Sequence, residues 1–387
     1  MDNFLTSPHS STPQAPTAHR AGWFVVLILM FTLVVLGGAW YIMRNVEKPP
    51  LTEESKTKIA PYNIQKDFHD LAKIKDNYEQ IITQGESLIQ KYPEDFYIYQ
   101  FTSWAYRNHW YKTADESLLE RAEELLAIAL QKNPRGKGLF MDQRVIKALR
   151  LKHEEGIHFF QQKLSEFPDL APEFNSHIGI LYNLAGNRKE AKQYLELAIK
   201  GDENQLDAYL ALAYLSSGDA GGPHMSAMRR YATKVIEAAT TTPAYHGQGY
   251  AMLGWSYILE KNYPQAIQTA RKGIAVNPVC SGCYHILGKG LLGSYMKQKS
   301  SEMLEQSINA QEKAIAITPL ATHPYYHLGI GYLVRGERGK AIATWQKGLT
   351  YLARDPFYPA WVKPELEKEL RNSLANPDSA FNNAYGL

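Results

Sequence analysis

The sequence predicts an all-α fold, a solenoid of helical hairpins with an N-terminal transmembrane helix, and three patterns carry that expectation. In residues 250–278, Tyr250, Leu253, Gly254 and Tyr257 fall at i, i+3, i+4 and i+7, one face of a helix. Asn262 ends that helix. A second begins near Pro264 and sets Ala266, Ala270 and Gly273, small residues that let two helices pack closely, before Asn277-Pro278 stops it. The same order of bulky, small, bulky, small and proline recurs upstream and downstream. Finally, residues 21–43 hold no charge over 23 positions. At about 1.5 Å rise per residue, a helix of that length crosses the roughly 30 Å hydrocarbon layer of a bilayer.

Taken in order, residues 1–20 are rich in Ser, Thr and Pro and are expected to form a disordered tail. Residues 21–43 carry Trp23 near one end and Trp40 and Tyr41 near the other, where amphipathic rings favour the headgroup boundary. A cleaved signal peptide fits less well, because the preceding tail is long and weakly charged and the apolar run continues past Ala39. Residues 44–64, with Pro49, Pro50 and Pro61, read as a semi-extended linker, and residues 65–375 as the solenoid. Its helices are expected over 67–91, 97–110 and 118–132, with a longer turn between the last two. A more degenerate pair follows at 139–151 and 157–167. Residues 174–201 give a clear hairpin, with Ile178, Gly179 and Tyr182 answered by Ala191, Leu195 and Ala198. Helices at 207–216 and 225–239 flank a long turn. After the reference hairpin come Tyr284, Leu287, Gly288 and Leu291, an enlarged turn over 293–302, and a helix over 307–317. Tyr325, Leu328, Gly329 and Tyr332 lead a last good copy with Ala341, Trp345 and Gly348. A charged helix over 361–374 suits the end of a stack, and residues 376–387 read as a tail.

This hairpin pattern resembles the tetratricopeptide repeat, whose period is about 34 residues, and the likeness covers residues 95–353. The resemblance implies a right-handed superhelix in which the first helix of each pair lines a concave surface that grips a peptide or protein segment. On that reading the groove carries Asn183, Tyr209, Trp255, His285, Lys289 and Tyr326 on the solvent side of first helices. Only Lys289 and Asn183 resemble the groups with which chaperone-binding members clamp a terminal carboxylate, and they lie in separate repeats. An amphipathic helix or extended apolar segment is therefore the expected ligand.

Composition narrows the function further. A formal net charge of +3 with no basic run gives no sign of nucleic-acid binding, and two cysteines exclude a disulfide-dense framework. The common nucleotide-binding, zinc-protease and serine-hydrolase motifs are absent, so no enzyme activity, cofactor or metal is expected. Cys280 and Cys283 form a C-x-x-C pair followed by Tyr284, where haem attachment needs His. A local disulfide is expected in an oxidising compartment and free thiols in the cytoplasm. His323 and His327 stand four apart, but Pro324 between them argues against a shared metal.

The expected role is a membrane-anchored scaffold that holds protein partners during assembly or recruitment of a membrane or envelope complex. A redox or enzyme-accessory protein using Cys280 and Cys283 is one alternative, and a cytosol-facing targeting receptor on an organelle membrane is another. Arg20 precedes the span and Arg44, Lys48, Lys56 and Lys58 follow it, a balance that would keep the domain cytoplasmic. Single-anchor repeat proteins with short N-terminal tails look most like bacterial inner-membrane proteins with a periplasmic domain, and that arrangement is the expectation adopted. Oligomeric state and partner identity stay open.

Overall fold

Helices alternate with short turns throughout the residues that the computed structural model describes, 77–218 and 223–380. They are α1 (Tyr78–Lys91), α2 (Phe96–Thr113), α3 (Glu116–Lys132), α4 (Lys137–Leu149), α5 (His153–Glu166), α6 (Ala171–Ala185), α7 (Arg188–Gly201) and α8 (Leu206–Leu215). After them come α9 (Met225–Ala238), α10 (Pro243–Leu259), α11 (Tyr263–Val276), α12 (Ser281–Gln298), α13 (Ser301–Ile317), α14 (His323–Val334), α15 (Arg338–Leu352) and α16 (Lys363–Ala375). No strand occurs among the described residues. The tail at 1–20, the transmembrane helix at 21–43 and the linker at 44–64 lie outside them. Among the described residues no helix is long and apolar enough to cross a membrane.

Proline sets the rhythm. Tyr92, Asn133, Phe167, Asn277, Thr318 and Asn376 each cap a helix with φ between −131° and −140° and ψ between 64° and 92°. A proline follows every one of them, and its ring pushes the preceding residue out of the helical region. Helix starts are marked as clearly. Asp95 and Asp115 accept hydrogen bonds from the Tyr97 and Ser117 amides at 2.9 and 3.0 Å, caps typically worth about 1 kcal/mol each.

From α2 to α15 the helices pack as seven successive hairpins, and each first helix also touches the first helix of the next hairpin: α2 with α4, α4 with α6, and so on to α12 with α14. The second helices form no comparable row. An inner row that packs more closely than the outer one curves the array, with α2, α4, α6, α8, α10, α12 and α14 on the inside. Glycine permits the approach within a hairpin. A Cβ on Gly179 would stand 2.7 Å from Leu195 Cγ, and one on Gly329 would overlap the indole of Trp345. Trp345 is fully buried, and its indole N–H donates to the Tyr326 carbonyl at 3.0 Å. Gly288 plays the same part, its carbonyl accepting from Ser307 Oγ at 2.7 Å.

The array also meets its own beginning. Leu320, in the turn before α14, is buried in one cluster with Trp110, Leu119 and Leu149 of the first two hairpins, with Tyr351 packed alongside. Phe357 stacks on Tyr111 with ring centroids 6.1 Å apart.

Four expectations are corrected. The longer turn after Trp110 and the enlarged turn over 293–302 are mostly helix: α2 runs to Thr113 and α12 to Gln298, and two-residue turns follow, containing Ala114 and Lys299 in the left-handed region. Extending an existing helix adds one hydrogen bond per residue ordered, so extra length was absorbed as helix. The closing helix begins at Lys363, and residues 353–362 before it are a non-helical strap. Residues 376–387 were expected to be a tail, yet 377–380 are helical and Ala380 is buried in the core formed by α10 to α16.

Two glycine substitutions separate close approach from open space. Gly329→Ala is expected to destabilise the chain by about 1–3 kcal/mol, because the buried Trp345 ring has nowhere to go. Gly339→Ala, in α15 with no heavy atom within 4 Å of its Cβ position, is expected to stabilise by about 0.5 kcal/mol. Urea midpoints of the two variants should move in opposite directions.

Candidate protein-binding face

On the inner row, α10, α12 and α14 bring together Trp255, His285, Lys289, His323, Tyr326 and His327. Helical spacing puts His285 and Lys289 one turn apart, and likewise His323 and His327, so each pair faces the same neighbour. The Lys289 amine lies 4.5 Å from the Trp255 ring centroid, a cation–π contact. The Trp255 and His285 rings are 6.5 Å apart, His285 and His327 5.4 Å, and His285 and His323 6.0 Å. Tyr358 of the strap closes the far side, edge-on to His323 at 4.3 Å. Tyr326 adjoins His327 at 5.0 Å.

Hydrogen bonding fixes the state of His285. Gln311 Nε2 donates to the His285 carbonyl at 3.1 Å, which turns Gln311 Oε1 toward His285 Nδ1 at 3.0 Å. The imidazole is therefore assigned as the Nδ1–H donor. Burial pushes the His285 pKa down to about 4, with Lys289 adding to the shift and Gln311 opposing it. Burial likewise holds His323 and His327 well below the usual histidine range, with Lys289 and His285 contributing to both. Lys289 is lowered to about 8, again by burial, while Glu369 works against it. At neutral pH the cluster is thus three neutral imidazoles around one ammonium. No carboxylate among the described residues comes within ion-pair distance of that ammonium, and Lys289 and Trp255 both keep part of their surface exposed.

Three residues expected on the open side of the groove are in fact covered. His285 is 6% exposed, enclosed by Gln311 and His327, and Tyr326 is 3% exposed, in one core with Leu366 and Leu370 of α16. Asn183 is 6% exposed because its side-chain oxygen accepts the indole N–H of Trp361 at 3.4 Å. Tyr209 is half-buried beside Tyr231, at 6.1 Å, and stands apart from the Trp255 cluster. The structure therefore joins Trp255, His285, Lys289 and Tyr326 in one patch and leaves Asn183 and Tyr209 elsewhere.

A second inner-row cluster was not found from sequence. Arg144 of α4 donates to Asp207 of α8 at 2.8 Å, passing over α6, and Arg107 and Gln100 of α2 both donate to Asp142 at 2.8 Å. Gln143 Oε1, Ser176 Oγ and both ring nitrogens of His177 are buried nearby in sequence with no hydrogen-bond partner among the described residues. Arg144 and Asp207 are 63 positions apart, so no local spacing announces the pair.

Cys280 and Cys283 are joined by a disulfide with Cα atoms 5.3 Å apart, at the start of α12. Cys280 Sγ also accepts the Cys283 amide at 3.1 Å and so caps the helix. Both sulfurs are buried against Ala251 and Ile274, which keeps external thiols from reaching them. No group of three or more His, Cys, Asp or Glu side chains among the described residues could hold a metal ion.

The buried neutral histidines make stability pH-dependent. His285 has a lower pKa folded than its ordinary value of 6.5, so the unfolded chain binds more protons between the two. Stability is complete above about pH 6.5 and is lost progressively as pH falls toward 4, at about 1.4 kcal/mol per pH unit for each such group once well below its unfolded pKa. The urea midpoint at pH 5 should lie below that at pH 7, with a smaller difference in His327→Gln. A midpoint unchanged between those pH values would contradict the assignment.

No protein-family model matches the chain, and no curated protein matches it. Several solved structures are similar. A tetratricopeptide repeat protein from Parabacteroides merdae is 17% identical, with 70% of this chain and 99% of that one covered and a TM-score of 0.44. A thermophilic TPR protein from Thermus thermophilus is 18% identical over 53% of this chain and 100% of its own, with a TM-score of 0.41. Yeast Tom70 is 14% identical over 87% of this chain and 68% of its own, with a TM-score of 0.46. The all-α helical-repeat solenoid itself is read from the order and packing of this chain's own helices.

Proposed function

We propose that this chain is a non-enzymatic scaffold that binds protein segments along the inner face of its helical hairpins and is held at a membrane by residues 21–43. The observation that carries the reading is the partly exposed Trp255 with the Lys289 amine across its ring and no carboxylate paired to it among the described residues. An aromatic surface beside a cation that forms no ion pair, with Glu369 acting on it from beyond ion-pair distance, suits an apolar segment bearing an acidic group, and aromatic anchors concentrate binding energy. The membrane part of the reading rests on the 23 uncharged residues of 21–43 and their aromatic ends. A domain outside the cytoplasm is supported by the Cys280–Cys283 disulfide, which oxidising compartments preserve. Assembly or recruitment of a membrane or envelope complex is the role such a tethered binding face would serve.

Crosslinking in cells followed by identification of the attached proteins tests the binding face. Trp255→Ala should weaken capture of the principal partner by about 30-fold, the cost of truncating a hot-spot residue. Lys289→Ala should weaken it less and remove most of its salt dependence. An unchanged partner set with an intact fold would refute this face. Protease digestion of the domain only after the outer compartment is opened would support the orientation, and protection until the inner membrane is broken would reverse it.

A further inference from the structure

The strap over 353–362 is longer than the fold requires. Elsewhere a second helix is joined to the next first helix by four or five residues, as at 92–95, 133–136, 202–205, 277–280 and 318–322. Between α15 and α16 there are ten. A turn of four would suffice for the same step, so the surplus must be explained by what it touches.

One end is fixed. Asp355 is fully buried and accepts hydrogen bonds from the Thr322 amide at 2.7 Å and the Phe357 amide at 2.9 Å, which pins the strap to the start of α14. From there the chain runs in bends and a turn past hairpins that are distant in sequence, the Val362 amide bonding the Pro359 carbonyl at 3.0 Å. Phe357 stacks on Tyr111, and the Ala360 amide donates to the Leu184 carbonyl at 3.0 Å. Trp361 then enters a seat built by the third and fourth hairpins. Its indole N–H meets Asn183, the Arg188 guanidinium lies 4.5 Å over its ring, and Tyr214 packs at 5.9 Å. Gly218 leaves the room for it, since a Cβ there would stand 2.5 Å from the indole. Arg188 is itself held in place, donating to the Leu215 carbonyl at 3.0 Å.

These features are those of a peptide complex: a main-chain hydrogen bond to the scaffold, proline on both sides of the aromatic pair, and an indole in a polar-rimmed pocket. The attachment is discontinuous: Asp355, Pro356 and Pro359 are buried, while one main-chain hydrogen bond holds the strap to hairpin three and Phe357 and Ala360 stay exposed. We propose that Trp361 and the residues before it are a built-in ligand, occupying a docking site for a proline- and tryptophan-containing segment of a protein partner, which binds by displacing the strap. The displaced state frees the inner face beside His323, which Tyr358 covers in the closed form. This site is separate from the Trp255 and Lys289 face, so either can fail experimentally while the other stands.

The test uses the full chain in detergent and a fluorescein-labelled peptide with the sequence of residues 353–362. Trp361→Ala should bind the peptide at least tenfold more tightly than the unmodified chain, by fluorescence anisotropy, and Arg188→Ala added to it should abolish the gain. Equal binding by the two chains would overturn the proposal. Native-state hydrogen exchange on the unmodified chain decides the matter if the variant does not fold. Exchange of the Ala360 and Val362 amides at least a hundredfold faster than the buried amides of α14 and α15 supports a detachable strap. Exchange at the same rate as those amides makes the strap an integral part of the fold and overturns it.

Discussion

The contact between a small residue on each first helix and a bulky one on its partner governs how near the two axes come, and through that distance the curvature of the whole array. Where Gly329 lies under Trp345, the indole reaches the backbone carbonyl of Tyr326, and where Gly288 lies opposite Ser307, a hydroxyl does the same. At Gly329 the bond forms only because no Cβ intervenes. These bonds hold first helices close enough for each to touch the next, and the inner row that results is what carries the cation, the imidazoles and the indole of the candidate binding face.

The hairpins were legible because their pattern is periodic and their stops are written in proline. Tyr250, Leu253, Gly254 and Tyr257 announce a helix face without help from the rest of the chain, and Asn277-Pro278 announces its end. Lengths were less legible. A period identifies a helix but not how far it propagates, so α2 and α12 overran the turns assigned to them. The strap was invisible for the opposite reason: Arg354 to Val362 has no periodicity, and its partners Tyr111, Asn183 and Tyr214 are far away in sequence.

The candidate site was legible in part. Helix position correctly put Trp255, His285, Lys289 and Tyr326 on first helices, and the structure brings these four together. Their exposure was another matter, because a helix wheel cannot say how closely the next hairpin approaches. His285 lost its solvent to Gln311 and His327, Tyr326 to α16, and Asn183 to Trp361. The histidines show the physical effect of that approach. Alone, each would titrate near neutrality; packed within 5.4 to 6.5 Å of one another and of Trp255, they stay neutral and leave Lys289 as the charge of the patch.

The buried contact of Leu320 with Trp110, Leu119 and Leu149 changes what kind of object the array is. An open stack of repeats behaves as a line, in which each unit depends on its neighbours and the end units open first. Here the last hairpin is tied to the first two, and Arg144 and Asp207 tie the second to the fourth across the third. From α2 to α15 the connectivity becomes a loop, and helices outside it, such as α1 packed on α2, remain as ends from which unravelling can start at little cost. Local opening must then occur at elements outside the circuit, and among the described residues the strap is the one that joins two fixed points while belonging to neither row of helices.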